Sequence, residues 1–410
     1  MSLGIPLYRR RRHRTPWPLF AALALLLGAL TAYLRLAYPT ASPVASARFL
    51  IQSIGHGHAG MHQEVVGFLP YWRLDGEPYI RQDLVTDVVF FGLNIAPSGD
   101  FASAIGNATD PAWQAWNSAA IGDEIARTHI AGGRFELAIV LQKQSEIEAL
   151  LSNNDAQKRL IDVALGQMRS STADGLNLDF EVEGKVDPKA RDAFTDFVTR
   201  LATRVHQVPG KVLSIDLPPL AARAPGLYDA PALGALADRV IVMSYDYYAS
   251  GSDVAGPVAP MSGFSQGNYF FDVQTTYADY EKVVPKLKLI MGVPYYGYDW
   301  PVKDNGKPLA PTLPQNDADG YAEVLSYSRM KTDRDLDPAG CHWDDLAAES
   351  WCGYTRAGVE REAWFEDQRS VGLKYDFASS QGLAGVAIWT LGYDGAYPDL
   401  WSLVRQHFAA

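Results

Sequence analysis

Eight short apolar runs, rich in β-branched and aromatic residues, punctuate the chain from Glu64 onward, and helix-type stretches separate most of them. The strand candidates are 65–71, 87–95, 135–141, 175–181, 212–217, 240–245, 287–295 and 385–391. Helix-type patterns cover 112–128, 155–169, 189–205 and 366–380. A series of eight βα repeats predicts a closed parallel (β/α)8 barrel rather than an open sheet. Many of the runs are continuously apolar, as strands covered on both faces are. The interval between Tyr298 and Trp364 breaks the rhythm and reads as an insertion between strands 7 and 8, at about 301–363. A structureless loop of that length would be unusual in a compact domain, so it is expected to fold and to wall a groove.

The N-terminal part has a different character. Residues 9–14 read Arg-Arg-Arg-Arg-His-Arg, and the apolar run 17–34 follows with only Pro18 interrupting it. That length suits a membrane anchor better than the core of a cleaved leader. The positive flank is expected to stay inside, so the bulk of the chain is expected outside. The expected organisation is a basic tail at 1–16, a transmembrane signal anchor at 17–37, a linker at 38–63 and one folded region at 64–410. This makes a single-pass protein of the cell membrane. Cleavage at Ala45-Ser46-Ala47, giving a secreted protein, is the alternative.

Chemistry concentrates where the strands end. The run Asp174-Gly175-Leu176-Asn177-Leu178-Asp179-Phe180-Glu181 alternates, so Asn177, Asp179 and Glu181 share one face of a strand. Three polar side chains on a buried face are expensive unless they do chemistry. Tyr71 and Trp72 follow the first strand, Tyr245 and Asp246 end the sixth, Tyr295 and Tyr296 end the seventh, and Trp389 lies late in the eighth. Parallel barrels place their active sites at that end.

Composition narrows the partner. The net charge of −11 argues against nucleic acid. The 21 Tyr and 10 Trp suggest a surface on which sugar rings stack, although aromatic residues also fill cores. Cys341 and Cys352 are the only cysteines. A short-loop disulfide fits an exported protein, and two free thiols are the alternative. His56, His58 and His62 sit in linker-like sequence and read as a solvated tail rather than a metal site.

These motifs resemble glycoside hydrolase family 18, the chitinase-like TIM barrels. The family pattern Asp-Gly-x-Asp-x-Asp-x-Glu is matched at Asp174, Gly175, Asp179 and Glu181, and Asn177 departs from it. Met243-Ser244-Tyr245-Asp246, Gly292-Val293-Pro294-Tyr295-Tyr296-Gly297 and Gly385-Val386-Ala387-Ile388-Trp389 are similar to the family's sixth-, seventh- and eighth-strand patterns. Gly-Phe-Leu-Pro-Tyr-Trp at 67–72 and Leu-Gly-Tyr-Asp at 391–394 resemble the bacterial cell-wall branch of spore-cortex N-acetylglucosaminidases.

The resemblance implies a retaining, substrate-assisted hydrolysis of β-1,4 bonds in peptidoglycan or chitin. Glu181 would be general acid and base. Asp179 would orient the substrate's acetamido nitrogen, and Tyr245 would bond its oxygen. Asp246 and Met243 would shape the pocket and Trp389 would be its floor, while Tyr71 and Tyr295 would touch sugar or, equally, serve as packing. No cofactor, no metal and a monomer are expected. Asn177 cannot ionise, but its NH₂ can donate, so it is expected to imitate a protonated Asp and hold Asp179 charged. A sugar-binding lectin on the same barrel is the alternative. Such relatives usually lose the terminal acid, and Glu181 is present.

Overall fold

The computed structural model describes residues 60–409 apart from 75–79, 183–185, 225, 317 and 338–339, together with residues 28, 29, 32 and 33. The strands β1 Glu64–Pro70, β2 Asp87–Asn94, β3 Arg134–Leu141, β4 Gly175–Phe180, β5 Val212–Leu217, β6 Arg239–Val242 and β7 Leu289–Pro294 fall on the expected runs. Five strands of the insertion follow: β8 Tyr296–Pro301, β9 Glu323–Ser326, β10 Cys341–Asp344, β11 Glu349–Arg356 and β12 Val359–Phe365. β13 Gly385–Trp389 then completes the barrel, which closes in the order β1-β13-β7-β6-β5-β4-β3-β2 with every neighbour parallel.

Ten helices are described: α1 Pro111–Trp116, α2 Ala119–Ile130, α3 Gln144–Leu151, α4 Asn154–Ser171, α5 Pro188–His206, α6 Ala230–Leu236, α7 Val273–Tyr280, α8 Tyr327–Thr332, α9 Gln368–Gln381 and α10 Asp399–Phe408. Local chemistry sets their starts. Asp110 and Asp187 accept backbone N–H groups of the first turn, and a proline follows each where its missing N–H costs nothing. α5 buries Phe194, Phe197, Val198, Leu201 and Val205, the spacing of a single helix face. The expected helix 112–128 is two helices. Asn117 ends α1, and its side-chain amide donates to Trp113 O at 2.8 Å, competing with the helical ladder.

Two apolar layers surround the strands. The outward residues of β4, Leu176, Leu178 and Phe180, join the large core beneath the helices. The barrel lumen holds a separate cluster, Val66, Phe68, Val89, Phe91, Ala138, Val140, Ile241, Ile290 and Ala387. The β3–β5 side of the lumen is polar instead, with Glu136, Asn177, Asp179, Ser214 and Asp216 all buried.

The insertion is a folded antiparallel sheet in the order β9-β8-β12-β11-β10. It begins at Tyr296 and ends at Phe365, wider than the expected 301–363. Cys341 and Cys352 face each other across β10 and β11 and form a disulfide. Among the described residues no helix is long and apolar enough to cross a membrane. The expected anchor at 17–37 lies outside the described residues, apart from Gly28, Ala29, Ala32 and Tyr33.

Candidate active site

A cleft of about 400 Å³ opens at the C-terminal end of the barrel. It gathers residues from seven strands: Tyr71 and Trp72 after β1, Phe91 and Asn94 on β2, Gln142 after β3, Asp179 and Glu181 at β4, Asp216 on β5, Met243, Tyr245 and Asp246 after β6, and Trp389 at β13. Sequence positions up to 318 apart thus converge on one space. A wider hollow of about 1190 Å³, lined by Lys331, Trp343 and Arg369 among others, contains none of these residues.

The floor is aromatic. Trp389 stacks with Tyr245, with ring centroids 6.4 Å apart and planes 25° apart. Phe68 and Phe91 brace it at 5.5 and 4.8 Å. Trp72 packs edge-on against Phe91 at 6.0 Å and against Tyr71 at 4.8 Å, and is itself 46% exposed at the lip. Backbone space is part of this design. A Cβ on Gly292 of β7 would lie 2.6 Å from Val242 O and 2.9 Å from the Tyr245 ring. Glycine there is what lets Tyr245 lie flat beside Trp389.

The carboxylates differ in their surroundings. Asp179 is buried, and burial with the neighbouring charges of Glu181 and Asp216 pushes its carboxyl well above the ordinary range. Glu181 follows the strand, half-buried, and Gln142 Nε2 donates to its Oε1 at 2.6 Å. Burial and the surrounding carboxylates raise the Tyr245 phenol too, so it stays a donor. Asp246 takes a left-handed backbone, φ 57°, which turns the chain out of β6. Its carboxylate accepts from Tyr296 Oη at 2.5 Å and Tyr298 Oη at 3.1 Å, both from β8 of the insertion. Burial raises its carboxyl, and those two bonds oppose the rise. The insertion therefore braces Asp246 through two tyrosines, while none of its own residues lines the cleft.

Three sequence expectations change. Tyr295 is buried in the outer layer, with its hydroxyl 2.5 Å from that of Tyr375 on α9, so it packs the helix layer and takes no part in the cleft. Its neighbour Tyr296 points inward, because successive residues leave a strand on opposite faces. Asn177 does not donate to Asp179. Its Nδ2 donates to Ser214 Oγ at 3.0 Å and Asp216 Oδ1 at 2.8 Å. Asn177 therefore gives Asp179 no hydrogen bond, and burial with the charges of Glu181 and Asp216 pushes the Asp179 carboxyl upward. The motif's first acid, Asp174, stands at the opposite end of β4. It accepts from Phe135 N and Lys211 Nζ and lies 2.6 Å from His129 Nε2. Burial pushes its carboxyl up, but His129 and these partners bring it below the ordinary range.

Asp216 and Gln142 were missed. The 212–217 run carries the signal for Asp216, since Ser214 and Asp216 alternate with Leu213, Ile215 and Leu217 as Asn177 and Asp179 do on β4. Gln142 carries none beyond its place after a strand. Among the described residues there is no cluster of three or more His, Cys, Asp or Glu that could hold a metal ion. His62 is exposed, and His56 and His58 lie outside the described residues.

The family model described as Glycosyl hydrolases family 18 matches residues 64–394. The chain is 28% identical over 393 residues to a putative sporulation-specific glycosylase, YdhD, of Bacillus subtilis (strain 168), covering 92% of this chain and 82% of that protein. Among solved structures it is similar in fold to the spore cortex-lytic enzyme SleL of Bacillus megaterium QM B1551. The TM-score is 0.64 at 20% identity, covering 84% of this chain and 74% of that one. The Group IV chitinase of Ostrinia furnacalis in complex with allosamidin superposes with a TM-score of 0.70 at 18% identity, covering 84% of this chain and 98% of that one.

Proposed function

The chain belongs to family 18 of the glycosyl hydrolases, and from that premise we propose that it cleaves β-1,4 bonds of N-acetylglucosamine-containing polysaccharide with the substrate's own acetamido group as nucleophile. The observation that carries this reading is the meeting of Asp179, Glu181, Tyr245 and Trp389 in one cleft. A sugar ring stacks on Trp389 with its acetamido arm directed at Tyr245 and Asp179. The acetamido carbonyl oxygen bonds to the anomeric carbon as the glycosidic C–O bond breaks, and Glu181 gives its proton to the leaving oxygen. Water then attacks the same carbon and returns a proton to Glu181, and the oxazolinium ring opens with retention. The Tyr245 hydroxyl orients the acetamido oxygen throughout. Met243 and Asp246 shape the pocket. No step needs a metal.

Peptidoglycan is the substrate favoured by similarity, because YdhD carries a sporulation-specific name and SleL is a spore cortex-lytic enzyme. We further propose that residues 17–37 anchor the chain in the cell membrane with the barrel outside, as the basic flank at 9–14 supports. Fractionation with protease accessibility on whole cells tests the anchor. Release of a chain starting near residue 48 would replace it with secretion. For the reaction, mass spectrometry of products from purified peptidoglycan and from chitin oligomers compares the wild type with Glu181→Gln. Saccharides with reducing-end N-acetylglucosamine, absent with the variant, are expected. Tight binding of both glycans with no cleavage would make the protein a lectin instead.

A further inference from the structure

The hollow of about 1190 Å³ lies between the insertion sheet and α9. α8, β10, β12 and the start of α9 wall it, through Tyr327, Lys331, Trp343, Phe365 and Arg369. It is larger than the cleft and roomy enough for a few residues of peptide. Two of its cations are pinned on aromatic rings. The Arg369 guanidinium lies 3.6 Å from the centre of the Trp343 ring. Arg369 is exposed, and among the described residues no carboxylate pairs with its side chain. Stacking covers the flat face of a guanidinium and leaves its N–H edge free, so this side chain is a preset fork for a carboxylate. Lys331 Nζ stands 5.4 Å from the Tyr327 ring and 5.8 Å from the Tyr397 ring, and pairs with Asp399 at 2.8 Å.

The charges of the lining have mixed sign. Arg334 adds a third cation, and Asp333, Asp337 and Asp367 are the acids. Asp367 caps α9, accepting from Arg369 N and Ser370 N, and takes the Ser350 hydroxyl at 2.7 Å. Asp333 pairs with Arg356 at 2.6 Å. Mixed sign discriminates between ligands. A polyanion such as a phosphate polymer meets three carboxylates, whereas a peptide bearing both carboxylates and an ammonium group is met by opposite charge at each. The hollow and the cleft also share a support. Tyr327 N donates to Tyr295 O at 2.9 Å, and Ser328 N donates to Tyr393 O at 2.8 Å. α8 carries Lys331 one turn further on, so it hangs from the segment that sends Tyr296 to Asp246 in the cleft.

We propose that this hollow is a second binding site, for the acidic stem peptide that peptidoglycan chains carry, with the Arg369 fork taking a peptide carboxylate. The proposal rests on the peptidoglycan reading and deepens it. The cleft has no Lys or Arg among its lining residues, so it is equipped for the neutral sugar. The hollow supplies the cations that the peptide carboxylates need, and the peptide is what sets peptidoglycan apart from chitin.

Isothermal titration of the full-length protein with a synthetic alanyl-glutamyl-diaminopimelyl-alanine peptide tests this. Binding is expected in the wild type and should weaken about tenfold in Arg369→Gln, the loss of one charged hydrogen bond. Trp343→Leu keeps the arginine but removes the ring beneath it, and should weaken binding about threefold. Arg369→Gln decides alone if Trp343→Leu does not fold. On glycans, Arg369→Gln should leave kcat/KM for N-acetylglucosamine oligomers unchanged and lower it about tenfold for soluble peptide-bearing glycan strands. No binding of the peptide at about 1 mM, or equal binding by wild type and Arg369→Gln, would overturn the proposal. Displacement of the peptide by an equal concentration of inorganic phosphate would make the hollow a general anion site and overturn it too. Peptide binding that depends on Arg369 in a protein that cleaves no glycan would uphold the site and refute the glycosidase reading. Cleavage of peptidoglycan by a protein that binds no peptide would uphold the glycosidase and remove the site.

Discussion

The molecule buries carboxylates in two places, and the two differ in how they are closed. In the barrel, Glu136, Asp179 and Asp216 share the lumen with Ser214 and Asn177, and the row runs up to Glu181 at an open cleft. Under the insertion, Glu349 of β11 and Glu366 flank Lys374 of α9, and all three are 0% exposed. Lys374 Nζ lies 2.6 Å from Glu366 Oε1 and 3.8 Å from Glu349 Oε1. Glu349 also accepts from Val258 N and Ala259 N. That cluster has no mouth. It ties the insertion sheet, the β6–β7 segment and α9 together, so its charges serve attachment. The barrel row has similar burial but ends at solvent in the cleft. Access, more than burial, separates a reactive carboxylate from a structural one.

Breaking one cluster should therefore cost activity and breaking the other should cost stability. Glu181→Gln should lower kcat on N-acetylglucosamine oligomers by about 10²–10⁴-fold while thermal melting stays near wild type. Near-normal turnover would end the assignment of Glu181. Lys374→Met leaves two buried carboxylates facing each other and should destabilise the fold by about 3–5 kcal/mol, read by denaturant unfolding.

The pH dependence of that loss has a definite sign. Burial, then the charge of Glu366 on Glu349, pushes Glu349 well above its ordinary 4.5, and burial also raises Glu366. Groups raised in the folded state contribute stability below their ordinary pKa and lose it as pH rises through the raised value. The Lys374→Met deficit should thus be small near about pH 4 and widen toward about pH 8. A deficit independent of pH would show that the lysine is mere packing.

Tyr245→Phe removes one hydroxyl aimed into the cleft and should reduce kcat by about 10–100-fold with little change in melting. Tyr298→Phe removes one of two bonds between insertion and cleft. It should cost about 0.5–1.5 kcal/mol in melting and a few-fold at most in kcat/KM.

Much of this was legible beforehand because it is local. Period-two alternation fixed which side of β4 carries Asn177 and Asp179, and strand ends marked Tyr245, Asp246 and Trp389. The error at Tyr295 was one of parity. The chain leaves β7 at Pro294 and enters β8 at Tyr296, and a one-residue change of strand boundary exchanges inside for outside. Asp216 was hidden by an apolar composition, although the alternation of Ser214 and Asp216 was there to read. The Glu349–Glu366–Lys374 cluster had no local signal, since β11 and α9 meet only in the folded protein.

The sequence by itself determined the barrel, because strand and helix periodicities and Asp-Pro caps act over a few residues. It also determined which face of β4 carries Asn177 and Asp179. Tertiary structure alone decided how Asn177 is used. Its partners Ser214 and Asp216 lie 37 and 39 residues away, and Glu136 lies 78 residues from Ser214. An amide donates or accepts according to its neighbours, and those neighbours exist only once the sheet has closed and brought β3, β5 and β6 around β4.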